Sequence, residues 1–268
     1  MKIERNALCP CHSGLKYKKC CLMNPDRIEA AQSLNSQYID RDYLLTNLRE
    51  RSDCMARFLD ALPKQLTDLL WIFINPSLNA NMRSMAGYGH LVILIRQFPI
   101  LDEDFFDFAH EIGHFVLILN NYPGCRVLSG DLRMASLATV LTNTIMDPLV
   151  NQLVVKHGFN FAEYIQKSFR IQLQGLKFPT PNTIEDRHMV RCLCIEKMLE
   201  WRILEIPLEN LFLPVFEQYH PNEYKFAVNF VESIDLDRLN DPNYVHEILS
   251  QLIHENQMQD ILALHSFA

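Results

Sequence analysis

Two histidines four residues apart, His110 and His114, flank Glu111 inside the run Asp102-Glu103-Asp104-Phe105-Phe106-Asp107-Phe108-Ala109-His110-Glu111-Ile112-Gly113-His114-Phe115-Val116-Leu117-Ile118-Leu119. The acids at its start suit a helix N-terminus, and no proline interrupts it before Pro123, so a helix is the expected host. Residues four apart on a helix share one face, which lets both imidazoles reach a single tetrahedral metal. Glu111 is then placed to take a proton from water held at the open metal position. The plainer reading is a half-buried amphipathic helix whose histidines bond to neighbouring groups.

A second constraint lies at the other end. Cys9-Pro10-Cys11 and Cys20-Cys21 put four thiols within thirteen residues, with His12-Ser13-Gly14 supplying a turn between the pairs. Four cysteines suit a closed tetrahedral zinc site. Two disulfides are the competing reading, disfavoured because adjacent cysteines strain a bridge and because a reducing compartment is expected. A segment this short buries too little apolar surface to fold alone, so metal would supply its folding free energy and its absence would leave it disordered. The pattern Arg5-Asn6-x-x-Cys9-Pro10-Cys11-x-Ser13-Gly14-x-Lys16-Tyr17-Lys18-Lys19-Cys20-Cys21 resembles the SEC-C motif, the small zinc knuckle named for the C-terminus of the SecA translocation ATPase. It departs from that motif at His12 and Leu15, neither a ligand position. The resemblance implies a structural zinc on Cys9, Cys11, Cys20 and Cys21 and docking to a protein or to ribosomes.

With 268 residues, 49% hydrophobic and 21% charged, the chain is expected to form one main domain with attachments. The expected division is a knuckle over 1–25, a helical linker region over 26–65 and a main domain over 66–268. No apolar run approaches the roughly 20 residues of a membrane span. Residues 1–6 lack the apolar core of a secretory signal, and thiols that must stay reduced follow, so the cytoplasm is expected. A net charge of -7 argues against the whole chain coating nucleic acid, and any polyanion contact is confined to Lys2, Arg5, Lys16, Lys18 and Lys19.

Between the two signals, apolar spacing over 25–62 predicts two helices broken near Asp40 to Asp42. Leu69 to Ile74 and His90 to Arg96 read as short strands, and Asn79 to Gly89 as a polar loop. The order strand, strand, H-E-x-x-H helix resembles zinc peptidases of the zincin type, in which a sheet edge beside the active helix pairs with extended substrate. Ala109 to His114 also resembles the corresponding helix of the ImmA and IrrE peptidases.

A zincin needs a third ligand. The metzincin extension would require Gly at Leu117 and His at Asn120, which excludes that group. In gluzincins the ligand is an acidic residue on the following helix, and between Pro123 and Gly158 the acids are Asp131 and Asp147. Asp147 is the candidate, with Asn143 one turn earlier as a group that could orient it. Asp147-Pro148 also reads as a helix opening, with one helix ending near Met146 and another running from Pro148 to His157. His157 is the alternative ligand. Further on, Phe161 to Leu176 is amphipathic, Phe178 to Pro181 is a loop, and Asn182-Thr183-Ile184-Glu185 opens a helix running to about Glu205. Cys192 and Cys194 on that helix read as buried thiols. Leu211, Phe212, Val215, Phe216, Phe226, Val228 and Phe230 supply apolar faces.

The expected fold is mainly α (α+β): a zincin-like core with a small β-sheet and the H-E-x-x-H helix, an N-terminal zinc knuckle and a helical C-terminal region. The expected activity is zinc-dependent hydrolysis of peptide bonds in a peptide or protein substrate. One catalytic zinc would sit on His110, His114 and Asp147, and one structural zinc in the knuckle. Glu111 would be the general base, with Tyr164, His188 or Tyr219 as oxyanion donor. The alternative is a non-catalytic adaptor that docks through the knuckle and keeps a degenerate zincin scaffold.

Overall fold

Unbroken apolar runs become the centre of a sheet. The structure, a computed structural model, describes residues 3–128, 132–165, 183–205 and 212–266. They fall into two units, Met1–Val116 and Leu117–Ala268. The first contains α1 (Asp26–Ser33), β1 (Gln37–Ile39), α2 (Arg41–Arg51), α3 (Asp53–Asp60), α4 (Lys64–Leu69), β2 (Leu70–Ile74), β3 (Met82–Gly87) and β4 (His90–Ile95), and leads into α5 (Phe105–Leu119). The strands form one sheet of order β1-β2-β4-β3. β2 and β4 are parallel, with Ile72 opposite Ile93, and almost every residue of both is buried. Strands covered on both faces have no reason to alternate, and this pair was therefore visible as apolar runs.

The other two strands depart from expectation. β3 lies where a polar loop was predicted, pairing antiparallel with β4 from Met82↔Ile95 to Gly87↔His90. As the outer strand it is only partly buried, and Met-Arg-Ser-Met-Ala-Gly has none of the β-branched or aromatic residues that mark a strand. β1 interrupts the expected pair of helices. The break itself falls near the anticipated place, with Asp40 capping α2 by accepting from Tyr43 N at 2.9 Å. Ser52 caps α3 in the same way, and Met55, Phe58 and Leu59 turn its apolar face inward.

The β3–β4 hairpin closes on Tyr88 and Gly89, both at positive φ, 56° and 69°. A two-residue loop of this kind needs left-handed backbone at both positions. A Cβ added at Gly89 meets nothing within 4 Å, so Gly89→Ala carries only the backbone cost. That cost is about 1–2 kcal/mol and should appear as a lower denaturant midpoint with an unchanged slope.

The second unit contains β5 (Pro123–Val127), α6 (Leu132–Val155), α7 (Ile184–Leu204), α8 (Leu213–Tyr219), α9 (Pro221–Glu232), α10 (Pro242–Glu255) and β6 (Leu262–Ser266). β5 and β6, neither anticipated, pair antiparallel with Cys125 opposite Leu264. α6 packs along α7. α7 starts where expected, with the Thr183 hydroxyl accepting from Asp186 N and the Asp186 carboxylate accepting from Thr183 N. The expectation of a helix start at Asp147-Pro148 is overturned, because α6 continues through both with Pro148 inside it. The proline ring removes one N–H from the ladder, a loss the surrounding turns of the helix and its packing on α7 absorb. Asp131, Leu211, residues 166–176 of the expected amphipathic segment and the Phe178–Pro181 loop lie outside the described residues.

The architecture is thus mixed α/β, mostly helical, with small sheets. Among the described residues no helix is long and apolar enough to cross a membrane.

Candidate metal centres

Residues 3–22 form a tight loop. Leu8 bridges to Lys16, Cys9 N donates to Leu15 O at 2.8 Å, and His12 and Gly14 take positive φ of 61° and 75° to turn the chain back. A short 3-10 turn over Tyr17–Lys19 then delivers Cys20 and Cys21. The four Sγ atoms all lie within 4.8 Å of one another. Cys11 is 3.4 Å from both Cys9 and Cys20, Cys20 is 3.6 Å from Cys21, and Ser13 Oγ lies 3.2 Å from Cys20. All eight cysteines of the chain are free thiols. Four zinc–sulfur bonds of about 2.3 Å set the sulfurs about 3.8 Å apart, so this cluster needs only a slight expansion to take the ion.

S–H donation from Cys21, foremost among several such bonds, draws the Cys11 thiol down to about 4, whereas burial holds Cys20 up at about 11. Cys21 is raised, first by its bond to Cys11 and then by burial. Ordering the loop costs about 1–2 kcal/mol per residue of backbone entropy, and it contributes little to the core besides Cys9, Cys11, Cys21 and parts of Tyr17 and Cys20. Metal ligation would be a physical means of closing that gap.

The knuckle is built into the first unit. Cys9, Cys11 and Cys21 belong to one buried cluster with Ala30 and Ala31 of α1, Tyr38 of β1, Trp71 and Phe73 of β2, and Val92 and Leu94 of β4. Tyr38 N donates to Cys11 O at 3.1 Å, so the loop also covers the edge of β1.

On α5 the helical spacing does what geometry requires. His110 Nε2 and His114 Nε2 are 3.1 Å apart, with the rings at 83° to each other. Two metal–nitrogen bonds of about 2.0–2.1 Å at a near-tetrahedral angle set nitrogens about 3.3 Å apart, and an N–H···N bond between neutral imidazoles gives a similar spacing. Burial, and after it the neighbouring His110, pushes the His114 pKa down to about 3, which keeps its ring neutral and its lone pair available. Glu111 turns to the sheet, where its Oε2 accepts from Ser84 N on β3 at 2.6 Å. Ser84 was missed because its strand was read as a loop. Arg51 steadies the start of α5, donating to Ile100 O at 2.8 Å, pairing with Asp102 and stacking over the Phe105 ring.

Asp147 is a half-buried residue in the interior of α6. Asn143 and Asn151 lie one turn before and after it. Asn151 donates to Glu200 at 2.9 Å, and Glu200 takes the buried Lys197 ammonium at 2.8 Å, pinning α6 to α7. Cys192 and Cys194 are buried thiols, raised by burial, Cys192 to about 12. Tyr219 is exposed at the end of α8, Tyr164 packs beside Phe161, and His157 follows α6 just before Gly158, whose φ is 94°.

His188 is committed elsewhere, its buried Nδ1 lying 2.7 Å from Asn256 Oδ1. Burial holds its pKa below the usual 6.5, so the unfolded chain binds the proton more readily. The stabilisation from the neutral ring is present above that value and is lost as pH falls below it. His188→Gln should therefore flatten the fall in melting temperature between about pH 7 and about pH 5.

Compared with known proteins, the chain is 35% identical over 89 residues to the Uncharacterized protein YccF of Bacillus subtilis (strain 168), an alignment covering 28% of this chain and 25% of that protein. The chain thus matches about a quarter of that curated relative's length. No solved structure matches. Residues 5–22 match the SEC-C motif, and the stretch contains all four clustered cysteines: this end of the chain is a SEC-C knuckle whose thiols could bind zinc.

Proposed function

We propose that the chain is a zinc-dependent peptidase whose working residues are His110, Glu111 and His114. The observation that carries this reading is the convergence of the two imidazole Nε2 atoms at 3.1 Å on a helix whose intervening glutamate reaches the outer strand of a sheet. Zinc bound there would supply Lewis acidity toward a peptide carbonyl and acidify water. His110 and His114 present their Nε2 atoms to it, and Asp147 is the proposed third ligand. The Ser84 amide holds one oxygen of Glu111, leaving the other to take a proton from the attacking water and return it to the leaving amine. β3, as outer strand, gives an extended substrate backbone an edge to pair with. The test is digestion of a broad peptide library with and without a chelator. Cleavage that chelation abolishes and zinc restores supports the reading, and no cleavage by zinc-loaded protein sinks it.

A second reading, an adaptor without catalysis, is favoured by the knuckle itself. Leu8 and Met23 are exposed at 72% and 84%, beside the basic Lys16, Lys18 and Lys19, a surface suited to docking on a protein or ribosome. Either function would suit a cytoplasmic protein with reduced thiols.

A further inference from the structure

Arg27 stands five residues past the matched motif, in the first turn of α1. Its guanidinium carbon is 4.1 Å from the centre of the Tyr38 ring and 5.4 Å from that of Trp71. Its Nε is buried and has no hydrogen-bond partner, and among the described residues no carboxylate pairs with it. A half-buried cation without a counter-ion is costly. Both rings beneath it belong to the cluster that contains Cys9, Cys11 and Cys21. Four thiolates around one divalent zinc carry a net charge of about -2, the kind of buried anion that such a cation offsets. Lys16, Lys18 and Lys19 are exposed, so water screens their contribution.

We propose that Arg27 is the counter-charge of the metal–thiolate cluster, and that its stack on Tyr38 and Trp71 makes metal loading of the knuckle a condition for a well-ordered sheet. Two strands receive that coupling directly. β1 takes it through the Cys11 carbonyl bonded to Tyr38 N, and β2 through Trp71, whose ring also stacks 3.6 Å from His90 of β4. The knuckle then acts on the fold that presents Ser84, whatever partner its outer surface meets.

Cobalt(II) titration of the full chain, followed by sulfur-to-metal charge-transfer absorption, reports the thiolate site alone. Arg27→Met keeps the stem and removes the charge, and Arg27→Lys keeps the charge. The Met variant should bind cobalt about 10- to 100-fold more weakly, the range found when a group outside the ligand set is removed, and the Lys variant should recover most of the loss. Binding by the Met variant as tight as wild type overturns the charge role, as does an equal loss in both variants. Metal removal from the wild-type chain should speed hydrogen exchange at Tyr38, Trp71 and Phe73, and unchanged exchange there overturns the coupling. Neither measurement requires peptide cleavage, so both stand apart from the peptidase reading.

Discussion

Glu111→Gln should leave zinc content and melting temperature nearly unchanged while cutting peptide hydrolysis by about 10²- to 10⁴-fold, the usual contribution of a positioned general base. Glutamine keeps an oxygen able to accept from Ser84 N, so the link between α5 and β3, 2.6 Å in the wild-type chain, survives the substitution. What it loses is a group able to take a proton from water. Comparing library digests of wild type and variant separates catalysis from scaffolding. Equal cleavage by both would show that the proteolysis comes from another residue or a contaminant, and loss accompanied by unfolding would mean that the carboxylate is structural.

The other large effect is on metal content. The zinc-loaded chain should carry about two ions, falling to about one with His110→Ala and His114→Ala together, and also to about one with Cys20→Ser and Cys21→Ser. No loss on removing the histidines would take away the clamp. Asp147 provides the finer arm. With Pro148 inside a continuous α6, there is no helix start at Asp147 for its side chain to cap. An aspartate in a helix interior is intrinsically unfavourable, and rule-breaking residues concentrate where function compensates. Asp147→Asn should therefore release the α5 ion, whereas Asn143→Ala should weaken it only about 10- to 100-fold. Retained zinc with retained cleavage in the Asn variant would turn the search to His157.

The four clustered cysteines and the His110–His114 pair were legible because their information is local. Four residues on a helix, or two cysteine pairs about a turn, fix which side chains meet before any other part of the chain is placed. The same holds for the helix start near Thr183, although its box closes on Asp186 and not on Glu185, and for β2 and β4, whose burial on both faces leaves unbroken apolar runs. Pairings across long separations were not legible. β3 has weak strand propensity and exists because β4 is beside it, and β5 meets β6 across more than a hundred residues. The Asp147-Pro148 boundary failed because packing along α7 outweighs a local proline signal.

The sequence by itself determined the cysteine cluster, the helix that carries His110 and His114, and the SEC-C knuckle, since each rests on spacing within a few turns of chain. Only tertiary structure decided that Glu111 is held by Ser84, that Arg27 stacks over rings sharing a core with three of the four clustered cysteines, and that His188 is taken up by Asn256. Each of those contacts joins residues that no local periodicity relates, and they meet because burying the apolar faces of the intervening segments brings them together.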